Sequence, residues 1–558
     1  MARSRARIVA EWLAAVLACL ALGVLVRWPL SVFPAALAGD TNFPFHVLVA
    51  RHLSQGGDPT WFTRESFPVG FPLAVVAVVP TLLAALLDHV TGPIVALNLA
   101  LVANIALQAG MMVLLGADLG WSRPGRALAA VAAAVSPVVL QFSGGSQHEN
   151  VAVGAFALAC MAPRRRGWRA LALGVLALLW AGFSSPYQAV PAGFLLLACS
   201  AVAGWRPLCW AVLAAFLAAL PVTAYYSRIG PSSVQARQGM PTAGIEIPAN
   251  LLDLVRPTDP RREEVTALRD LQERLRNVIA APTPLVLGRQ WPEAPLRDSS
   301  YLGLALLPLG LAGLFRGRRE PLMWAVAAAG LLCLALALGS TLHLSRVREL
   351  SIPLPWQLVA SLPLAGALST TVRFSTGAAF ALALGAGRLV AGTPGARAWW
   401  LAAGATAVLA VDGLLVAPVN WPLPGFRLQV PACAEALPPG PVAVWPHILV
   451  VSPHRFDTLA VVLDRPLAYY GALRLSAAGQ TDTFAKLDFA PDEDPSEWLR
   501  QARAAGVRGW LRLEHPHGAA PHQIVSRKPW FAQVTERCEG GWCVGTFEDA
   551  APAPAGDR

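Results

Sequence analysis

The chain has 558 residues, of which 55% are hydrophobic and only 14% are charged, with a formal net charge of +10. So large an apolar fraction excludes an ordinary soluble globular protein. The positive charge is carried almost wholly by arginines in short turns between apolar runs. This pattern favours anchoring on the cytoplasmic side of a membrane over nucleic-acid binding.

The first apolar run, from about residue 8 to residue 28, follows three arginines at positions 3, 5 and 7. A signal peptide is one interpretation. However, the run is long, and no small-residue cleavage site precedes Arg27-Trp28-Pro29. We interpret it as a retained first span, with the start of the chain in the cytoplasm.

Further apolar runs have the length of membrane-spanning helices, which need roughly 18–25 residues. They cover approximately residues 69–88, 93–116, 126–142, 150–162, 168–183, 187–203, 207–226, 301–315, 321–339, 368–390 and 397–417. If every run crossed, the arginine-rich turns would all lie outside, against the positive-inside rule. The run 69–88 contains Pro72 and Pro80 and ends in Asp88-His89. If it lies along the interface or re-enters, every basic turn lies inside, and we predict about eleven spans.

The same alternation of inside and outside segments predicts the domain organisation. We expect a polytopic transmembrane helix bundle over residues 1–418, with a first external loop at 31–92 and a large external segment at 227–300. The first loop contains a predicted amphipathic helix from Phe43 to Leu53, and the second a predicted helix over 261–278. Residues 419–558 contain alternating apolar and polar segments. They also contain a predicted helix at 494–506, with Asp494 as its cap, Pro495 in its first turn and Gly506 at its end. This pattern predicts a small extracytoplasmic α/β domain. Cys538 and Cys543 could close a disulfide there.

Asp40 and His46 follow the first span directly, in the stretch Gly39-Asp40-Thr41-Asn42-Phe43-Pro44-Phe45-His46. A carboxylate and an imidazole at the membrane surface can serve as a general base and a binding group. The alternative is a turn, or a cap for the helix that follows.

A second polar cluster, Gln147-His148-Glu149, lies between two spans on the predicted side of Asp40. Together with Asp40 these side chains could hold a divalent metal or orient a phosphate leaving group. Helix capping would explain one residue of the cluster but not all of them.

Four further residues on that side are candidates for substrate binding. Tyr187 and Gln188 open a span and could contact a sugar or headgroup, although an interfacial anchor is the simpler interpretation. His343 begins an external segment that ends at Arg373, where a long span starts. An arginine at the outer end of a span is usually paired or functional, and it can bind a phosphate with two parallel hydrogen bonds. The alternative is simple snorkelling.

Several short motifs together resemble the GT-C superfamily of membrane-embedded glycosyltransferases, and more closely its bacterial members without assigned substrates. These motifs are Gly39-Asp40, Ser136-Pro137 before Gln147-His148-Glu149, Tyr301-Leu302-Gly303-Leu304, Ala337-Leu338-Gly339, Leu354-Pro355-Trp356-Gln357 and Val372-Arg373-Phe374. They are spread over most of residues 1–420.

The resemblance implies a polyprenyl-phosphate-linked sugar donor and inversion at the anomeric carbon. It implies that Asp40 is the base or a metal-associated residue, that His148 and Glu149 complete the catalytic set, and that the metal, where one is used, is Mg²⁺ or Mn²⁺. It also implies a bacterial inner membrane location, with an envelope glycan, lipid or protein as acceptor.

We therefore predict a glycosyltransferase acting at the outer face of the membrane. The alternatives are a non-catalytic protein of the same fold that binds or scaffolds lipid-linked glycans, and a lipid or glycan transporter. An enzyme would gather Asp40, His148, Glu149 and Arg373 at one external cavity. A transporter would place polar residues along a path through the middle of the membrane.

Overall fold

A computed structural model of the chain describes residues 5–32, 35, 37–38, 43–62, 71–72, 77–144, 152–238, 249, 251–255, 300–345, 348–360, 368, 370–417, 421, 423, 425–426, 432–445, 463–468, 506–513, 536–539 and 542–546. Four predicted site residues, Asp40, Gln147, His148 and Glu149, lie outside these ranges. So do the predicted helices at 261–278 and 494–506.

The described chain is mainly helical. The α-helices are α1 (Arg5–Val26), α2 (Phe43–Ser54), α3 (Val78–Thr91), α4 (Pro93–Asp118), α5 (Arg123–Ala134), α6 (Pro137–Gly144), α7 (Val153–Met161), α8 (Trp168–Ser184), α9 (Pro186–Ala203), α10 (Trp205–Gln238), α11 (Leu306–Arg316), α12 (Pro321–Ala337), α13 (Trp356–Ala360), α14 (Ser375–Ala391) and α15 (Gly395–Ala410). Short 3-10 turns occupy Ala162–Arg164, Leu252–Leu254, Thr371–Phe374 and Ala432–Ala436, and a π-helical turn, Val411–Val416, extends α15.

The strands are short. They are β1 (Leu37–Ala38), β2 (Trp61–Phe62), β3 (Phe71–Pro72), β4 (Thr341–Ser345), β5 (Arg348–Pro353), β6 (Gly425–Phe426), β7 (Val442–Trp445), β8 (Leu467–Ala468), β9 (Gly509–Leu513), β10 (Glu536–Glu539) and β11 (Trp542–Thr546).

Six stretches in the described part are long and apolar enough to cross a membrane: Val9–Val26, Pro93–Asp118, Pro186–Ala203, Trp205–Ser227, Thr371–Ala391 and Gly395–Val416. Their burial differs sharply, because 83% of the Thr371–Ala391 window is buried against 17% for Val9–Val26. Helix α14 is therefore the central helix of the bundle, and α1 lies at its lipid-facing edge. The prediction of a mainly helical, multi-pass membrane protein is confirmed, while the count of about eleven spans stays a prediction.

One end of the bundle, called here the basic end, collects the arginine-rich turns. Arg123 Nη2 lies 2.5 Å from Glu11 Oε1, which places the starts of α5 and α1 side by side. Asp118, at the end of α4, accepts hydrogen bonds from Arg164 and Arg165 at 2.6 and 2.7 Å. The ends of α11 and α14 lie at the same end, because a methyl group added at Gly125 of α5 would touch Ala391 of α14.

The opposite end, called here the loop end, is where α1 stops and α4 starts. The Arg27 guanidinium donates to Asn98 Oδ1 at 3.1 Å, so these two termini are neighbours. Residues 27–92 thus leave the bundle and return to it at the same end. Helix α3, within this segment, forms a hairpin with α4 that is closed by Gly92, and its buried face includes Ala84, Ala85 and Asp88.

The predicted run 126–142 is not one helix, because the structure breaks it at Ser136 into α5 and α6. Pro137 is the physical cause: it has no amide hydrogen to bond to the preceding turn, and its ring disfavours helical geometry at Ser136. The run 150–162, the shortest predicted span, contains the nine-residue α7, all of which is buried.

Past residue 420 the described strands form a five-stranded sheet in the order β10-β11-β9-β7-β8. The pairs β10–β11 and β11–β9 are antiparallel, whereas β9–β7 and β7–β8 are parallel. A disulfide joins Cys538 and Cys543, which lie opposite each other in the β10–β11 hairpin. Trp510 on β9 is fully buried, and its ring lies against Gly545 of β11.

Candidate functional site at the start of the central helix

Arg373 lies in the 3-10 turn that precedes the central helix α14, at the loop end of the bundle. Its guanidinium carbon lies 4.9 Å from the centroid of the Tyr187 ring. A cation over an aromatic face is attracted to the ring electrons by ~0.5–2 kcal/mol, more when water is excluded. Because Tyr187 is 6% exposed and Arg373 is only partly buried as a residue, the structure holds this positive charge against a buried ring at a position that is not fully enclosed.

Tyr187 is itself held by the local sequence Ser185-Pro186 at the start of α9. The Ser185 hydroxyl accepts the Tyr187 amide at 3.3 Å, and Pro186 occupies the first helical position, where a missing amide costs nothing. The Tyr187 hydroxyl then accepts a hydrogen bond from the Thr370 amide at 3.1 Å. Two separate contacts therefore join the first turn of α9 to the residues around Arg373.

Gln188 makes a third connection between the same two elements. The Thr376 hydroxyl lies 3.1 Å from Gln188 Oε1 and 3.0 Å from the Arg373 carbonyl oxygen. Gln188 has no exposed surface, and its Nε2 has no hydrogen-bond acceptor among the described residues. Its position indicates that it acts on the site by holding α9 against the turn that carries Arg373.

An aromatic cluster supports this turn from below. The Phe374 ring lies 5.8 Å from that of Tyr187 and 5.3 Å from that of Trp356, the first residue of α13. Both Phe374 and Trp356 are buried. The structure therefore brings together three predicted site residues, Tyr187, Gln188 and Arg373, next to the buried aromatic cluster of Phe374 and Trp356.

The two predicted histidines in the described part lie elsewhere at the loop end. His46 is a buried residue of α2, with its ring 5.9 Å from that of Phe45. His343 lies on β4, where its Nε2 is 3.3 Å from the Thr341 hydroxyl and its carbonyl accepts the Leu251 amide at 2.9 Å. The contacts described for these histidines do not involve Arg373.

Asp412 and Arg27 are two of the buried charged residues at the loop end that were not predicted as site residues. Asp412, in the π-helical turn after α15, accepts the Tyr301 hydroxyl at 2.5 Å and the Ala305 amide at 2.8 Å. It thereby satisfies a backbone donor at the start of α11. Its signal was an acidic residue within the apolar run 397–417.

Arg27, the second of these residues, has no exposed surface and binds Asn98. In the sequence, Arg27 marks the end of the first predicted span. Like Arg373, Arg27 lies at the outer end of a span, where an arginine is usually paired or functional. Its position in the sequence could therefore have marked it as a candidate.

Two polar side chains inside the bundle bind each other and nearby backbone. Gln108 Nε2 donates to Asn104 Oδ1 at 3.2 Å, and Gln108 Oε1 accepts the Gly154 amide in the first turn of α7. Within the described part these groups satisfy a helix start inside the bundle.

No three His, Cys, Asp or Glu side chains among the described residues come together in a way that could hold a metal ion. The predicted metal-associated residues are not among those described, so metal binding by Asp40, His148 and Glu149 remains a prediction.

No protein-family model matches the sequence, and no curated protein matches it. Solved structures do match. The arabinofuranosyltransferase AftD from Mycobacteria aligns with a TM-score of 0.50 at 16% identity, over 95% of this chain and 37% of AftD. The chain thus spans little more than a third of that protein.

Two other matches have lower TM-scores. ArnT from Cupriavidus metallidurans, solved with undecaprenyl phosphate, aligns with a TM-score of 0.49 at 12% identity, over 98% of both chains. The Archaeoglobus fulgidus oligosaccharyltransferase aligns with a TM-score of 0.39 at 12% identity, over 90% of this chain and 69% of that one. The predicted resemblance is confirmed at the level of fold: the chain has the fold of the GT-C membrane glycosyltransferases.

Proposed function

We propose that the chain is a membrane glycosyltransferase that moves a sugar from a polyprenyl-phosphate-type donor to an envelope glycan, lipid or protein. The fold supports a transferase of this general kind. The observation that carries the proposal is the fixed, partly exposed guanidinium of Arg373 over the Tyr187 ring. Because AftD transfers arabinofuranose, a pentosyl donor is a candidate beside a hexosyl one.

Arg373 has the chemistry to bind the phosphate of the lipid donor. When the glycosidic bond breaks, negative charge grows on the departing phosphate, and a preorganised cation at that point stabilises the transition state more than the ground state. Arginine can bind two phosphate oxygens at once in a planar fork. The Tyr187 ring, with the Phe374 ring packed against it, keeps the guanidinium oriented, so little reorganisation is needed during the reaction.

In this proposal Asp40 acts as the general base that takes the proton of the acceptor hydroxyl, and the transfer inverts the anomeric carbon. His148 and Glu149 orient the acceptor, or help hold Mg²⁺ or Mn²⁺, with Gln147 and His46 as binding residues. His343, Tyr187 and Gln188 complete the substrate-binding set, Gln188 through the position of Arg373. These roles follow from the sequence motifs and from the family resemblance.

We place this chemistry at the loop end of the bundle and propose that this end faces away from the cytoplasm. The arginine-rich turns at the basic end support that orientation, because positive residues favour the cytoplasmic side. The Cys538–Cys543 disulfide supports it as well, since such bonds persist mainly outside the reducing cytosol. The membrane would be the bacterial inner membrane, with the C-terminal sheet outside.

The test is mass spectrometry of envelope glycans and lipid-linked sugars from cells with the protein, without it, and with variants. Loss of the protein, Asp40→Asn or Arg373→Gln should each raise the donor lipid and remove one glycan product. Arg397→Gln, which neutralises an exposed arginine at the basic end, is the matched control and should leave both unchanged. Product formation by Asp40→Asn at the unaltered rate would exclude the proposed base.

A further inference from the structure

Helix α2, which begins three residues after Asp40, is packed between the helix bundle and the C-terminal part of the chain. Its side chains share one hydrophobic cluster with α3 and α4 on one side and with residues beyond 420 on the other. The members from α2 are Phe43, Phe45, Val47, Leu48, Val49 and Ala50, and those from the C-terminal part are Leu423, Cys433, Ala434, Leu437, Val442, Leu511 and Val544. The C-terminal sheet therefore contributes directly to the core that holds α2.

The chain just before Asp40 is held by the same C-terminal part. Strand β1 pairs antiparallel with β6, with Leu37 opposite Phe426 and Ala38 opposite Gly425. Two more hydrogen bonds join this returning chain to the end of α1: the Trp421 indole donates to the Leu25 carbonyl at 2.9 Å, and the Leu423 amide donates to the Trp28 carbonyl at 2.8 Å. Both flanks of residues 39–42 are thus bound by residues that follow position 420.

Arg51 connects these parts by charge. Its Nε and Nη2 donate to Asp464 Oδ1 and Oδ2 at 3.2 and 2.6 Å, and its Nη1 donates to Asp88 Oδ2 at 3.1 Å. Asp88 is buried at the end of α3 and also accepts the Ser54 hydroxyl. The Asp464 hydrogen bonds, followed by those of Asp88, hold the pKa of the Arg51 guanidinium above its usual range, so it stays charged. One guanidinium therefore bridges α2, α3 and the C-terminal part.

We infer that the described residues after position 420 act as a clamp on α2 and β1 of the first loop, and that Arg51 is the positioning residue that closes the clamp through Asp464 and Asp88. This inference rests on the proposed function in one respect, since the loop between the two clamped flanks carries the proposed base Asp40. A catalytic group must be held within about 0.5 Å of its productive position, so the contacts that hold the described residues on either side of Asp40 bear directly on the proposed base. In the proposed transferase, the C-terminal sheet thus helps to hold the first loop.

The test is amide hydrogen exchange, read by mass spectrometry, of the full-length protein in lipid nanodiscs. We compare the wild type with Arg51→Gln, Asp464→Asn and Arg51→Lys. In Arg51→Gln, exchange in peptides covering 43–54 should rise by about five- to tenfold, as expected for the loss of charge-assisted hydrogen bonds that are partly exposed to water. Asp464→Asn should give a smaller rise, and Arg51→Lys the smallest, because lysine keeps the charge and loses the fork.

Arg123→Gln is the matched control, since it removes the ion pair with Glu11 at the opposite end of the bundle. Exchange over 43–54 should not change in this variant. Unchanged exchange of α14 in every variant shows that the bundle is still folded. Equal exchange over 43–54 in the wild type and Arg51→Gln overturns the inference.

Transfer kinetics separate the clamp from the proposed function. If the chain is a transferase, Arg51→Gln should lower kcat and leave KM for the donor lipid unchanged, because the phosphate contact at Arg373 is retained. A faster exchange in a protein that transfers no sugar supports the clamp and rejects the transferase. Transfer that depends on Asp40 in a protein whose clamp variants exchange like the wild type rejects the clamp alone.

Discussion

At the scale of single residues, the loop end shows how charges are kept near lipid. Arg373 has an aromatic face, Arg27 has an amide, and Asp412 has a phenol and a backbone amide as partners. A buried charge without such partners would be costly in free energy, so each group is tied to a specific neighbour. The difference between them is access: Arg373 keeps an exposed side, whereas Arg27 and Asp412 are buried.

The Tyr301–Asp412 hydrogen bond should contribute to stability, whether or not the protein is a transferase. Tyr301→Phe removes a hydroxyl that donates to Asp412 and accepts the Leu304 amide at 2.9 Å. Because the buried Asp412 carboxylate then loses a partner, we expect a loss of about 1–3 kcal/mol in the free energy of unfolding. Thermal unfolding in detergent measures it.

The matched control for this variant is Thr91→Ala, which removes an exposed hydrogen bond to the Leu87 carbonyl. It should change stability by less than about 0.5 kcal/mol. Equal stability of Tyr301→Phe and the wild type would show that the bond is not needed to hold the start of α11.

At the scale of elements, glycines let the central helix approach its neighbours. Helices α11 and α14 run in the same direction, and a methyl group at Gly313 or Gly385 would overlap a backbone carbonyl of the facing helix. A methyl group at Gly387 of α14 would likewise overlap the Gly125 carbonyl of α5, and also the Ala129 side chain. In a membrane, where apolar side chains gain little by leaving lipid, such close backbone contacts supply much of the helix–helix attraction.

We therefore expect Gly385→Ala to destabilise the protein by about 1–3 kcal/mol, because the new methyl group forces α11 and α14 apart. Thermal unfolding and the yield of monodisperse protein measure the effect. Gly404→Ala, at an exposed position of α15 where a methyl group meets nothing within 4 Å, is the control and should be neutral or slightly stabilising. A Gly385→Ala protein as stable as the control would contradict close packing here.

At the scale of the whole molecule, the basic end and the loop end of the bundle carry different features. The candidate site, both β-hairpins of the membrane region and the C-terminal sheet lie on chain segments that leave the bundle at the loop end. The arginine-rich turns, with their ion pairs to Glu11 and Asp118, lie at the basic end. Which end of the bundle faces the cytoplasm decides whether the proposed donor and acceptor can reach Arg373.

Cysteine labelling tests that orientation. In a Cys209→Ser background, Gln55→Cys places a thiol in an exposed turn after α2, and Arg166→Cys places one in an exposed turn at the basic end. A membrane-impermeant maleimide should label position 55 in intact spheroplasts and position 166 only after permeabilisation, because positive turns favour the cytoplasm. The reverse pattern would place the candidate site in the cytoplasm and exclude an outer-face transferase.

Much of this protein was determined by its sequence alone. Apolar runs predicted the helical membrane fold, because a chain in lipid must satisfy its own backbone hydrogen bonds. The start of α2 at Phe43 agrees with the prediction from local pattern. Pro137 also indicates the break between α5 and α6. The prediction missed this break because the surrounding apolar run has the length of a single span.

Only the tertiary structure decided which distant residues meet. Tyr187 and Arg373 are far apart in the chain, and so are Arg51 and Asp464, as well as Tyr301 and Asp412. No local pattern encodes such pairs, because each depends on which helix faces pack together and on where the chain returns to the bundle. The physical reason is that hydrophobic periodicity specifies that a face is buried, whereas its partner is chosen by shape, close backbone approach and the pairing of a few buried charges.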